Sequence, residues 1–133
     1  MILCYWLLGT AYEYQGKYHE AREAYEKCVA LGAPVAFPKA FIAHLGARIG
    51  ERQKAWDTLH ELQELSRHSY VPEIASAVVY DGLGETDRGI EALERAYRGR
   101  ETNLVLIKVW PHFDNLRHDP RFQEIERRVG LRT

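Results

Sequence analysis

The side chains here that could do chemistry are, first, the six histidines: His19, His44, His60, His68, His112 and His118. Two histidines one helical turn apart, or a C-x-x-C cysteine pair, would make a metal site. No pair has that spacing. His60 and His68 are eight residues apart, about two helical turns, too far for one ion on a straight helix. The histidines read as solvent-exposed or capping groups, and no metal is expected. Glu13 and Asp81 are carboxylates that a groove could pair for acid–base work, but they read first as ordinary groove charges. Ser66, Ser69 and Ser76 lack a nucleophile-elbow context. Gly82-Leu83-Gly84-Glu85-Thr86-Asp87 has the look of a phosphate loop, but it follows a helical stretch rather than a strand. Neither an enzyme nor a cofactor is expected.

The elements that position these residues show a fixed period. Gly16, Gly50 and Gly84 are each 34 residues apart, as are Ala21, Ala55 and Gly89, and Tyr25, Leu59 and Leu93. A period of that length marks stacked helical hairpins. Tyr5, Leu8, Gly9 and Tyr12 form one face of a first helix over ~2–15. Gly9 is small because a neighbouring helix must approach it, and Gly16 suits the left-handed turn that ends a helix. A second helix, ~18–31, turns Ala21, Ala24, Tyr25 and Cys28 toward its partner. The stripe Tyr5, Tyr12, Tyr18, Tyr25 reads as hairpin packing. Pro38 and Pro72 suit first turns, opening helices ~38–49 and ~72–83. Their partners run ~52–66 and ~86–99. Gly89, where earlier units have Ala, costs about 1 kcal/mol of helix propensity.

After Gly99 the period weakens. Thr102–Val109 is apolar enough for another first helix, and Trp110-Pro111-His112-Phe113-Asp114 breaks it. Asp119-Pro120 is a helix start with Asp as N-cap. Phe122, Ile125 and Val129 continue to Gly130 as a cap on the stack.

The whole chain of 133 residues reads as one all-α domain, with units at about 2–34, 36–68, 70–100 and a degenerate unit plus cap at 101–133. Net charge is -1, which offers no field for nucleic acid or an anionic membrane surface. No apolar run approaches the roughly 20 residues of a membrane span, and the opening stretch lacks the basic leader of a signal peptide. Cys4 and Cys28 make no disulfide framework; they read as buried helix thiols in a reducing cytoplasm. The Arg-rich end (Arg117, Arg121, Arg127, Arg128, Arg132) is interspersed with Asp119, Glu124 and Glu126 and reads as a solvated helix.

Tyr5, Leu8, Gly9, Tyr12, Gly16, Ala21 and Tyr25 resemble the signature of the tetratricopeptide repeat (TPR) family. Residues 36–100 carry it less fully, with Ala43 and Ala77 in place of Gly9 and Gly46 in place of a Tyr. The segment from Trp110 to Phe122 is similar to the closing segment of TPR regions at the C-terminus of bacterial multidomain regulatory proteins. The resemblance implies a right-handed α-solenoid of about three hairpins, a degenerate fourth unit and a C-terminal capping helix.

It also implies a non-catalytic interaction module that binds a peptide or partner protein in the concave groove lined by the first helices. In that phase the groove positions are Trp6, Thr10, Glu13 and Tyr14, then Phe37, His44 and Arg48, then Ile74, Val78 and Asp81, with Lys108 last. Such a mix of aromatics and charges suits a peptide with apolar anchors. The family's carboxylate clamp is missing: its positions hold Trp6, Thr10, Phe41, Val71 and Ala75. The alternative is a self-associating scaffold, a homodimer through Ile2, Leu3 and Leu7 of the N-terminal helix, or a sensor fragment of a larger bacterial signalling protein.

Overall fold

Each hairpin is made by a glycine at the same point of the repeat. Gly16, Gly50 and Gly84 take φ of 80°, 102° and 73°, a left-handed turn in which a Cβ would be strained. The amide of the residue after each glycine then reaches back: Lys17 N–H to the Tyr12 carbonyl at 2.9 Å, Glu51 to Gly46 at 2.8 Å and Glu85 to Tyr80 at 3.0 Å. Three equivalent bonds in three turns are the structural form of the sequence period.

The computed structural model describes residues 2–32, 35–101, 104, 107, 108 and 110–132, and for 2–4 and 131–132 the backbone alone. Among the described residues there are seven α-helices and no strand. They are α1 (Ile2–Tyr14), α2 (Tyr18–Ala30), α3 (Ala36–Arg48), α4 (Arg52–Ser66), α5 (Glu73–Leu83), α6 (Thr86–Arg98) and α7 (Pro120–Arg132). Helices pair in sequence as hairpins: α1 with α2, α3 with α4 and α5 with α6. The second helix of a hairpin also touches the first helix of the next, and α3 packs along α5. The architecture is the helical-repeat stack that the period implies. Of the expected 102–109 helix, most residues lie outside the described ones.

The repeat positions that set the phase are interior. Ala21, Ala55, Gly89, Tyr25, Leu59 and Leu93 are all buried, as hairpins that stack must bury them. Pro72 is the N-cap of α5 and not in its first turn, with ψ at 136°; α5 begins at Glu73. The amides this leaves open at Glu73 and Ile74 are taken by the Glu101 carboxylate, at 2.6 and 3.1 Å. A carboxylate also complements the positive end of a helix dipole. At α7 the expected cap forms: Asp119 Oδ1 accepts the Arg121 N–H at 2.8 Å. Phe122, Ile125 and Val129 are buried, and α7 packs on α6.

Between α6 and α7 the chain turns back over the stack. Among the described residues it includes a 3-10 turn, Pro111–Phe113, which contacts α5. Arg117 holds this return in place. Its guanidinium donates to the carbonyls of Ile107 (3.0 Å), Lys108 (2.9 Å) and Trp110 (2.7 Å). Phe113 and Leu116 are fully buried. Leu116 explains the odd glycine of the third unit. A Cβ on Gly89 would lie 2.8 Å from the Leu116 side chain, so this position is small to admit the returning segment.

Candidate functional site

The first helices of the three hairpins line a groove, and residues 110–116 lie in it. Trp110 is buried among aromatics from α1 and α3. Its ring centroid is 5.4 Å from Trp6, 5.6 Å from Phe41 and 6.0 Å from Phe37, in each case edge to face. These are favourable aromatic geometries. Two residues on, His112 sits 4.4 Å from the Phe41 ring and 5.0 Å from His44. Pro111 lies between the two insertions and fixes the backbone there.

Under His112 is a buried polar cluster assembled from five elements. Glu13 (α1) accepts from Tyr25 (α2) at 2.9 Å and from Arg48 (α3) at 2.8 Å. His44 (α3) faces Glu13 through Nδ1 at 3.2 Å and Asp81 (α5) through Nε2 at 3.1 Å. Asp81 accepts the Leu116 N–H at 2.9 Å, and Asn115 donates to the Asp81 carbonyl at 3.0 Å. His112 Nε2 lies 3.4 Å from Glu13 and 3.3 Å from the Tyr25 hydroxyl. Glu13, His44, Asp81 and His112 are each no more than 1% exposed.

The geometry decides the protonation states. Ionised carboxylates only accept hydrogen bonds. With a carboxylate on each ring nitrogen, His44 must donate from both and is an imidazolium. Burial opposes that charge, but the bonds to Asp81 and Glu13 outweigh it and raise the His44 pKa. Burial would likewise raise the Glu13 carboxyl. The hydrogen bonds with His112 and His44 reverse this and hold it well below the usual carboxylate range. His112 goes the other way: burial lowers its pKa, against the Glu13 bond. It is neutral. Its Nδ1 has no partner among the described residues, so the tautomer that strands no buried N–H carries the proton on Nε2. Tyr25 is pushed up by burial and by Glu13 and stays a phenol. Two anions, Glu13 and Asp81, are thus balanced by two cations, His44 and Arg48.

Glu13, His44 and His112 also offer ligand atoms within 4.8 Å of one another, the one such set found among the described residues. Those atoms are committed to one another and to Tyr25, and Arg48 already neutralises Glu13. A cation there would sit beside a guanidinium. The same commitment closes Glu13 and Asp81 to a substrate: His44 stands between them.

The groove positions taken from the repeat phase do not share one environment. Trp6, Tyr14, Phe37, Glu13, His44 and Asp81 all contact the returning segment. Tyr14 and Arg48 are exposed at its rim, with the guanidinium 4.6 Å over the tyrosine ring. Thr10 is half-buried and spends its hydroxyl on the Trp6 carbonyl at 3.0 Å. Ile74 and Val78, groove positions by phase, are instead fully buried in the α3–α5–α6 core. Glu13, His44 and Asp81 are likewise interior and not open groove charges. The reading of the histidines as exposed or capping fails for His44 and His112. Lys108 is exposed. Leu7 is 55% exposed, and the side chains of Ile2 and Leu3 lie outside the described residues. Sequence reasoning did not find Trp110 and His112. Their one local signal is an aromatic, Pro- and His-containing stretch where the helical period stops.

The class of protein these features define is a helical-repeat stack whose groove holds a segment of its own chain. The tetratricopeptide repeat family model matches residues 2–32, which supports that family. No curated protein and no solved structure matches the chain. Repeats of this family generally mediate protein–protein interactions and are typically non-catalytic. No helix among the described residues is long and apolar enough to cross a membrane.

Proposed function

We propose that this protein is a non-catalytic interaction module that holds a peptide or a partner protein in the groove formed by α1, α3 and α5. The observation that carries the reading is the groove's occupant. A returning segment with an aromatic anchor, a proline and a hydrogen-bonded side chain lies across Trp6, Phe37, Phe41 and Glu13. That is the mode by which repeat grooves take peptides: a buried anchor plus a few polar contacts. The module is a cytoplasmic one of a bacterial regulatory protein, and it binds neither nucleic acid nor membrane. Selection from a displayed library of natural peptides tests it. The expected result is enrichment of a peptide class whose binding weakens when the rim residues Tyr14 and Arg48 become Ala. Enrichment of nothing above a scrambled library would count against it.

A second reading rests on α1. Leu7 and Leu8 are 55% and 41% exposed, an apolar pair of the kind that subunit contacts cover. In this reading two copies associate through α1, with Ile2 and Leu3 contributing. Light scattering over a wide concentration range is expected to show a dimer that Leu7→Glu dissociates. A constant monomer mass removes it.

A further inference from the structure

We propose that the groove is selective for peptides bearing an aromatic–Pro–His core, and that Trp110, Pro111 and His112 occupy it in cis as a replaceable stand-in for such a partner. This rests on the interaction-module reading and deepens it by naming the ligand's chemistry.

Three observations carry the inference. The first is the specificity of the two subsites. Trp110 is received by three rings, Trp6, Phe37 and Phe41, which fit a large flat side chain and offer no hydrogen-bond acceptor or counter-charge. His112 is received by Glu13 and Tyr25, which need a hydrogen-bonding group there. Without one, a buried carboxylate loses a contact it uses.

The second is that the cis segment fills this site imperfectly. Three buried side-chain polar atoms have no partner among the described residues: Trp6 Nε1, Arg22 Nε and His112 Nδ1. One of the three, on Trp6, belongs to the groove, and one, on His112, to the segment. A buried polar group left without a partner loses the hydrogen bond that water gave it. A peptide that gives the Trp6 indole N–H an acceptor, and His112's equivalent a partner, binds the same subsites with fewer losses.

The third is the anchoring around the segment. Phe113, Leu116 and Phe122 are fully buried, and Arg117 clasps the carbonyls of Ile107, Lys108 and Trp110. The chain beyond Phe113 is part of the core and stays. The side chains of Trp110 and His112 are held chiefly by groove residues, so exchange needs residues 110–112 to lift, with release of the Arg117 bond to the Trp110 carbonyl and of the Trp110–Phe113 stack, and no unfolding of α7.

The cis segment competes as a tethered ligand, at an effective concentration on the order of mM. An external peptide therefore binds the native chain weakly and a chain lacking the stand-in tightly. The probe is a fluorescein-labelled peptide of residues 107–116, read by anisotropy against the full chain and against the Trp110→Ala/His112→Ala variant. The expected result is at least about a tenfold lower Kd for the variant, lost when the peptide's own Trp and His are replaced by Ala. Equal affinity for both proteins, or for both peptides, overturns the proposal.

Far-UV dichroism and cooperative urea unfolding establish that the variant is folded. Should it not fold, the native chain answers alone. The same peptide, with benzophenylalanine in place of Trp, is cross-linked at saturation. Labelling of α1 and α3 around Trp6 and Phe37 supports the proposal, and labelling elsewhere overturns it. Failure of either test leaves the interaction-module reading standing, because library selection asks for any peptide. Failure of that selection leaves the fit of residues 107–116 to their own groove untouched.

Discussion

His44 and His112 hold their rings 5.0 Å apart, edge to face, in opposite protonation states. His44 is charged because each of its nitrogens meets a carboxylate. His112 is neutral because it is buried beside that charge with one weak bond to Glu13. The groups that face this pair are Glu13 and Tyr14 from α1, Tyr25 from α2, Arg48 from α3 and Asp81 from α5.

The pair predicts stability that peaks near the ordinary histidine pKa of 6.5. His44 has a folded pKa above its unfolded value. Its contribution is complete below 6.5 and is lost as pH rises through the folded pKa. His112 has a folded pKa below its unfolded value. The unfolded chain then takes up the extra proton, so its contribution is complete above 6.5 and is lost as pH falls through the folded pKa. Glu13, lowered from 4.5, steepens the loss at more acid pH. Urea unfolding as a function of pH reads both limbs. His44→Gln is expected to flatten the alkaline limb and His112→Gln the acid one.

Glu13 is the residue on which the cluster converges, and Glu13→Gln leaves His44 and Arg48 without their shared anion. Breaking a buried pair by removing one partner costs about 3–5 kcal/mol. The variant is expected to lose that much in urea unfolding at pH 6.5. By contrast Glu124→Gln, which removes exposed pairs with Arg127 and Arg128, leaves the midpoint where it was.

Gly82 and Gly46 offer a matched pair. A Cβ on Gly82 would lie 2.8 Å from the His44 Cα and 2.9 Å from its carbonyl oxygen, so α3 and α5 would have to separate. On Gly46 the nearest atom is the end of the Glu51 side chain at 3.3 Å, which can swing away. Gly82→Ala is expected to cost about 1–3 kcal/mol by overpacking, and to loosen His44 as well. Gly46→Ala should be neutral or slightly stabilising through helix propensity. Thermal unfolding of the two variants separates them.

Arg117→Lys tests the clasp on the returning segment. An ammonium cannot reach the carbonyls of Ile107, Lys108 and Trp110 at once as the planar guanidinium does. Hydrogen bonds from charged donors are worth about 1.5–3 kcal/mol each, so loss of one or two should show as a fall of that order. Hydrogen exchange should localise the change to residues 107–117 and spare α2 and α4.

The repeat itself was legible in the sequence. The positions of Gly16, Gly50 and Gly84 and the helical spacing of Ala21, Tyr25, Leu59 and Leu93 are enough to place six helices within two residues of where they lie. Helix formation, turn closure and the burial of one face per helix depend on neighbours within a few residues, and a sequence records those directly. The returning segment is different. Tyr25 and His112 meet at 3.3 Å across 87 residues. Nothing local to Trp110-Pro111-His112-Phe113 marks it as the occupant of a groove, and in a phase-based reading that groove stands open. Gly89 reads as a weak helix residue until Leu116 is seen against it. Glu13, His44 and Asp81 read as surface charges until the segment covers them. Residue type and period determined the stack. Which polar groups are buried, and so which histidine carries a proton, was decided only when the end of the chain folded back and excluded water from the groove.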